Sequence, residues 1–175
     1  LSVMVCGNMP ISLKRFLVNK LSDLLPSSCF AYRRFILRFA GVHIAKTAKI
    51  NEGFRVYGRG NVDIGDNAWI GKNCTLYTMP GCTVAFGKNC DIGPETRFNC
   101  QSHKTGTPEH RAGTCSAHDI KIGSGVWIGM RSTVLCSQIG SGAVIGAASL
   151  VLKDVPPNVL CAGNPAEIKK TLPFS

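Results

Sequence analysis

The chain has 175 residues, 45% hydrophobic but only 7% aromatic, with 20 Lys and Arg against 10 Asp and Glu, giving a formal net charge of +10. That length suits one domain whose core is built from Ile, Val, Leu and Ala, and no run approaches the roughly 20 apolar residues that span a bilayer. The charge favours an anionic partner, but the basic residues are dispersed and no aromatic residues interleave with them as in single-strand binders, which argues against nucleic acid.

The first ten residues, LSVMVCGNMP, lack the basic start and long apolar stretch of a secretory leader. Nine cysteines with no CxxC pair read as small buried thiols in a reducing cytoplasm, which is the expected location. Residues 11–25 place Ile11, Leu13, Phe16, Leu17, Leu21 and Leu24 near helical spacing, with Lys14, Arg15 and Lys20 on other faces. Residues 28–40 read as a second helix, capped by Ser27 or Ser28 and stopped by Gly41. Two roles stand open for these helices: a lid over the first strand edge that follows, and peripheral contact with an anionic membrane.

From residue 64 the chain repeats. Ile64-Gly65, Ile70-Gly71, Phe86-Gly87, Ile92-Gly93, Ile122-Gly123, Ile128-Gly129, Ile139-Gly140 and Ile145-Gly146 form four doublets with an internal spacing of six. A third hexad follows each doublet, at Leu76, Phe98, Val134 and Val151. A short fixed period signals a solenoid, and three hexads make a triangular coil. Each hexad is a short strand and a corner, with the aliphatic residue inward and the Gly, Asn, Asp or Ser after it tolerating unusual dihedrals. The turn signal Thr-Met-Pro-Gly at 78–81 bulges from one coil. His43 precedes the repeats on this reading.

Residues 99–119 break the pattern with a polar stretch that carries three of the four histidines. The hexad phase resumes at Ile122, so the insertion is about one coil long, and a loop projecting from a rigid solenoid is where function is expected. Pro156-Pro157 then ends the regular coils, and 166–172 is expected as a short terminal helix. The chain thus divides into a helical cap (1–44), a β-helix with a loop excursion (45–164, loop 99–119) and a tail (165–175).

The stretch IKIGSGVWIGMRSTVL…IGSGAVIGAASLVLKDVPPNVLCAGNPAEIKK (121–170), with SHKTGTPEHRAG in the loop, resembles the hexapeptide-repeat O-acetyltransferases, among them the galactoside, maltose and virginiamycin enzymes and those that modify capsule or O-antigen polysaccharide. The resemblance covers about 45 to 170. It implies an all-β fold, a left-handed parallel β-helix, a homotrimer, acetyl-CoA as donor with no metal, and sites in clefts between subunits. Carried over residue by residue, it assigns His103 as the catalytic base. It sets Trp127, Gly129, Met130, Ala147, Lys153 and Lys170 along the acetyl-CoA groove, and Asn73, Asn99 and Arg111 toward a carbohydrate acceptor. Leu152 and Glu167 depart from the family pattern, as does a coil at TVLCSQIG that is one residue short; these bear on the nucleotide end of the groove.

Acetyl transfer to a hydroxyl needs a base, donors for the oxyanion and an aligned thioester. Histidine, titrating near neutrality, suits the base. A relay through Cys100 is a second route, His110 and His118 read as loop scaffolding or acceptor contacts, and Arg111 either binds an acidic sugar or pins the loop. The expected acceptor is a bacterial surface polysaccharide, a capsule (a polysialic one included) or an O-antigen, or its precursor. Alternatives are a small acceptor (an antibiotic, a free sugar, a nucleotide-linked amino sugar), a zinc carbonic anhydrase on the same coil, and a non-catalytic scaffold.

Overall fold

The structure is a computed structural model that describes residues 9–173. The reading of the first residues as no leader therefore lies mostly outside the described residues. Two helices, α1 (Ile11–Leu21) and α2 (Phe30–Phe39), precede the solenoid. Five coils follow in chain order. The first has β1 (His43–Ile44), β2 (Lys49–Ile50) and β3 (Arg55–Tyr57). The second has β4 (Asn61–Ile64), β5 (Trp69–Ile70) and β6 (Thr75–Tyr77), and the third β7 (Thr83–Phe86), β8 (Asp91–Ile92) and β9 (Arg97–Asn99). An antiparallel hairpin, β10 (Gln101–Thr107) and β11 (His110–Ala117), projects before the fourth coil of β12 (Ile120–Ile122), β13 (Trp127–Ile128) and β14 (Thr133–Val134). The fifth coil is β15 (Gln138–Ile139), β16 (Val144–Ile145) and β17 (Leu150–Val151), and β18 (Val159–Gly163) and β19 (Ala166–Thr171) close the chain.

Strands stack face by face. The first face runs β1-β4-β7-β12-β15, the second β2-β5-β8-β13-β16-β18-β19, and the third β3-β6-β9-β14-β17. All pairings are parallel except β10 with β11 and β18 with β19. The fold is the left-handed parallel β-helix expected from the sequence. In each coil the residue in phase with the repeat turns inward: Ile50, Ile70, Ile92, Ile128 and Ile145 stack down the second face at 1% exposure or less. At about 1.5–3 kcal/mol for each buried aliphatic side chain, these columns are the main stabilising term.

Two of the three prism edges are constant. First face to second is six residues in every coil (Ile44 to Ile50, Ile64 to Ile70, Phe86 to Ile92, Ile122 to Ile128, Ile139 to Ile145), and second to third is six again. All the variation falls on the edge from third face to first: Val56 to Ile64, Leu76 to Phe86, Phe98 to Ile122, Val134 to Ile139 and Val151 to Val155. The Thr78–Gly81 bulge and the hairpin both leave from this edge.

The structure revises several expectations. The repeat begins one coil earlier, at His43, where Ala45 and Asn51 replace the diagnostic glycine. Pro156-Pro157 does not end the coils, because Val155 bridges Ile139 and β18 pairs in parallel with β16. The segment 166–172 is not a helix: Ala166–Thr171 is a strand folded back on β18, since the outer edge of the last coil needs a partner for its backbone groups. The excursion 99–119 is a β-hairpin rather than an irregular loop. The eight corner glycines are not there for unusual dihedrals; none has positive φ. They permit close approach of coils: a Cβ on Gly71 would lie 2.6 Å from Pro94 N, and one on Gly129 2.4 Å from Ala147 N. The left-handed conformation falls two residues later, on Asn67, Asn73, Asn89 and Gly125 among others, where Asn and Gly are the residues that tolerate it.

The helices end sooner than the periodicity suggests, and neither Ser27 nor Ser28 caps α2, whose N-cap is Cys29 with no side-chain hydrogen bond. Ser27 instead donates to the Glu52 carboxylate. The cap also packs by its polar side. Asn19 pairs with both the N–H and the carbonyl of Val56. Arg15 donates to Gly58 O and Gly60 O at 2.8 Å, Arg34 to Ala48 O at 2.9 Å, and Arg38 Nη2 to Ile44 O at 2.6 Å. Part of the basic charge thus serves to satisfy the carbonyls of the first coil, the edge a solenoid leaves open. Val18 is the apolar residue of α1 that reaches the core, while Leu13, Phe16, Leu17 and Leu21 stay exposed.

Candidate active site

The hairpin β10–β11 sets the position of His103. Its register is regular from Gln101–Ala117 to His103–Cys115, then shifts before Thr105–Ala112. The irregularity re-aims the local backbone and brings Gly113 O to 2.9 Å from His103 Nδ1. A carbonyl can only accept, so Nδ1 carries the proton and Nε2 keeps its lone pair. His103 is exposed and, with Tyr77, Asn99, Gln101 and Ser102, lines a concavity of about 260 Å³.

Asn99 is therefore brought to His103, where its Oδ1 accepts the Gln101 N–H at 3.1 Å and fixes the root of the hairpin. Asn73 is not: it occupies a left-handed corner (φ 56°) between the second and third faces, where its side chain crowds Gly53. Arg111 sits near the hairpin tip and reaches Gly106 O at 3.4 Å, so it braces the turn. His110 pairs with Thr107 at the tip. The backbone N–H of His118 donates to Cys100 O, and its Nε2 is buried with no partner among the described residues. The three loop histidines are thus separated, and no cluster of three or more metal-binding side chains occurs among the described residues. Cys100 is fully buried, its thiol donates to Tyr77 O at 3.2 Å, and burial raises its pKa, so it is not poised as an acyl carrier.

The residues expected along the donor groove lie elsewhere. Trp127 is in β13, in register with Asp91 below and Val144 above, and Lys170 is in register with Leu160 one strand further on. Gly129, Met130 and Ala147 form the adjoining corner between second and third faces, where Met130 O accepts the Ala148 N–H at 2.8 Å. Trp127 and Met130 are 58% and 42% exposed, an apolar surface left uncovered by the described residues. Lys153 is exposed and follows β17 at the variable edge, next to Asp154, which accepts the N–H groups of Ser137 and Gln138. In one chain, then, the imidazole leaves from the third-to-first edge, and the exposed Trp127 and Met130 lie on the second face and its far corner. Sequence reading missed Tyr57 and Tyr77, whose rings stack at 5.4 Å on adjacent rungs of the third face. Their 20-residue separation, one coil, was the available signal.

A left-handed β-helix with a histidine-bearing hairpin on one edge defines a class: the hexapeptide-repeat transferases. The family model described as hexapeptide repeat of succinyl-transferase matches residues 61–93 and 119–153. The putative colanic acid biosynthesis acetyltransferase WcaF of Escherichia coli K12 is 33% identical over 144 residues, 82% of this chain and 76% of the relative. The galactoside O-acetyltransferase of the same organism is 35% identical over 109 residues, 62% of this chain and 53% of the relative. Among solved structures, a galactoside acetyltransferase in complex with coenzyme A superposes with a TM-score of 0.72 at 26% identity, covering 99% of this chain and 86% of that one. The polySia-specific acetyltransferase NeuO superposes with a TM-score of 0.59 at 30% identity, covering 73% and 63%. The chain belongs to the hexapeptide-repeat acetyltransferase family.

Proposed function

We propose that this protein moves an acetyl group from acetyl-CoA to a hydroxyl of a bacterial surface polysaccharide or its precursor, with His103 as general base. The observation that carries the reading is the 2.9 Å contact between His103 Nδ1 and Gly113 O, which leaves Nε2 free beside an acceptor-sized concavity. Acetyl-CoA supplies the activated thioester carbonyl. Exposed Trp127 and Met130, with Gly129 and Ala147 closing the corner, suit an apolar pantetheine arm, and the exposed Lys153 and Lys170 suit phosphates. His103 Nε2 takes the proton of the attacking hydroxyl and returns it to the departing thiolate, so that ester and thiol form with no net proton change. Because imidazole and groove occupy different edges of one prism, a complete site requires the hairpin of one subunit to face the groove of the next, in a closed ring of three copies.

Polysaccharide is favoured over a small acceptor by the WcaF and NeuO likenesses and by the open, shallow shape of the concavity at His103. The test is His103→Asn, which keeps a donor for Gly113 O but has no base. Turnover should fall about 10²–10⁴-fold with acetyl-CoA affinity within about threefold of wild type. Turnover within threefold of wild type would remove His103 from the chemistry.

A further inference from the structure

A cavity of about 660 Å³ lies between α1 and the third face of the first coil. Nothing in the transfer chemistry uses it. Its lining is basic: Arg15, Lys20, Arg55 and Arg59 against one carboxylate, Asp23. Arg55 Nη2 holds Asp23 Oδ2 at 2.7 Å, so that pair is neutral. Arg15, Lys20 and Arg59 have no carboxylate partner among the described residues, and residues 1–8 contain no Asp or Glu. Arg15 is only 4% exposed, and all its bonds go to neutral oxygens: Ala40 O, Gly58 O, Gly60 O and Thr78 Oγ1. A buried cation that meets only neutral carbonyl and hydroxyl oxygens keeps its field, and burial lowers its pKa.

The cleft is also connected to the reacting end. Tyr57 lines it and stacks on Tyr77, which lines the His103 concavity together with Asn99. Tyr57, Tyr77 and Asn99 occupy equivalent positions on successive rungs, so the path spans two rungs, about 10 Å. Both phenols stay partly exposed, Tyr57 at 43% and Tyr77 at 38%, and offer ring surface against which a sugar can pack.

We propose that the cleft between cap and first coil is an acceptor subsite that holds an anionic group of the glycan, a carboxylate or a phosphate, while Tyr57 and Tyr77 carry the sugar across to His103. This rests on the acetyltransferase reading for its consequence, but binding tests it separately. Titration calorimetry at low salt uses three probes without acetyl-CoA: a sialic acid tetramer, UDP-N-acetylglucosamine and neutral maltotetraose. Wild type and His103→Asn should bind an anionic probe alike, and maltotetraose at least tenfold more weakly. The double variant Lys20→Gln/Arg59→Gln should weaken the anionic probe at least tenfold and leave maltotetraose unchanged; both residues are exposed, so the fold is not at risk. The tetramer binding tighter than the nucleotide sugar assigns a carboxylate, and the reverse a phosphate. If neither anion binds wild type, if the double variant binds as wild type does, or if the neutral probe binds equally well, the subsite is wrong. An acetyltransferase that then still turns over shows that only the subsite has failed.

Discussion

At the scale of single residues, charge in this molecule is mostly spent on carbonyls rather than on carboxylates. Glu52 is one exception that, like the Asp23–Arg55 pair, ties cap to prism: it accepts from Ser27 of the segment before α2 and from Lys72 of the second coil. Burial works against its charge, but the bonds from Lys72 and Ser27 prevail and hold its carboxyl at about 2, below the ordinary 4.5. A depressed carboxyl stabilises the fold above the unfolded value and loses that contribution as pH falls from about 4.5 to about 2. Glu52→Gln should therefore cost about 1–2 kcal/mol of unfolding free energy at neutral pH, with the gap to wild type closing across that acid window. Urea titrations at pH 7, 4 and 2.5 check it; parallel losses in both proteins would show that the carboxylate is not the linked group. The His103–Gly113 contact belongs to the same scale and was not legible from sequence, because it depends on a shift in hairpin register that no local motif encodes.

Among the elements, the hexad is a packing rule as much as a turn rule. The glycine after each aliphatic residue lies where the next coil's backbone passes, and the tolerance for left-handed φ belongs to the residue two places on. The two roles separate experimentally. Gly71→Ala puts a methyl group 2.6 Å from Pro94 N, and should cost at least about 2 kcal/mol because both partners are backbone. Gly125→Asn keeps φ +68° with nothing within 4 Å of the new Cβ, and should change stability by no more than about 0.5 kcal/mol, since Asn already serves at the matching corners Asn67 and Asn89. Denaturant midpoints of the two variants decide it, and similar losses would return the glycines to the turn role. The aliphatic-glycine spacing made the four later coils readable in the sequence. The first coil escaped because Ala45 and Asn51 break the pair, and the last strand was read as a helix because its pairing with β18 is a tertiary contact that overrides local preference.

For the whole molecule, the separation of imidazole and groove predicts complementation. Met130→Arg spoils the groove and leaves the hairpin untouched; His103→Ala does the opposite. Each alone should be inactive. Refolded together in equal amounts, three-membered rings should recover about a quarter of wild-type activity, the fraction of clefts in which both intact halves meet. No recovery, together with a monomer in light scattering, would place both halves in one chain and contradict the proposed assembly. The acceptor was the least legible part of the sequence: the net charge pointed to an anion, yet Arg34 and Arg38 prove to be committed to the first coil, while the aromatic pair and the cleft appear only once coils are stacked.

The unequal edges of the prism bear on how such a molecule diversifies. Two edges advance by six residues without exception, so an insertion there would throw every later strand out of phase. The third absorbs steps of 8, 10, 24, 5 and 4 residues and still returns to register. That seam works as an expansion joint. Material can be spliced in or cut out along it without the rest of the stack registering the change, and foreign hairpins grafted at 78–81 or 135–137 should be carried as readily as the native one.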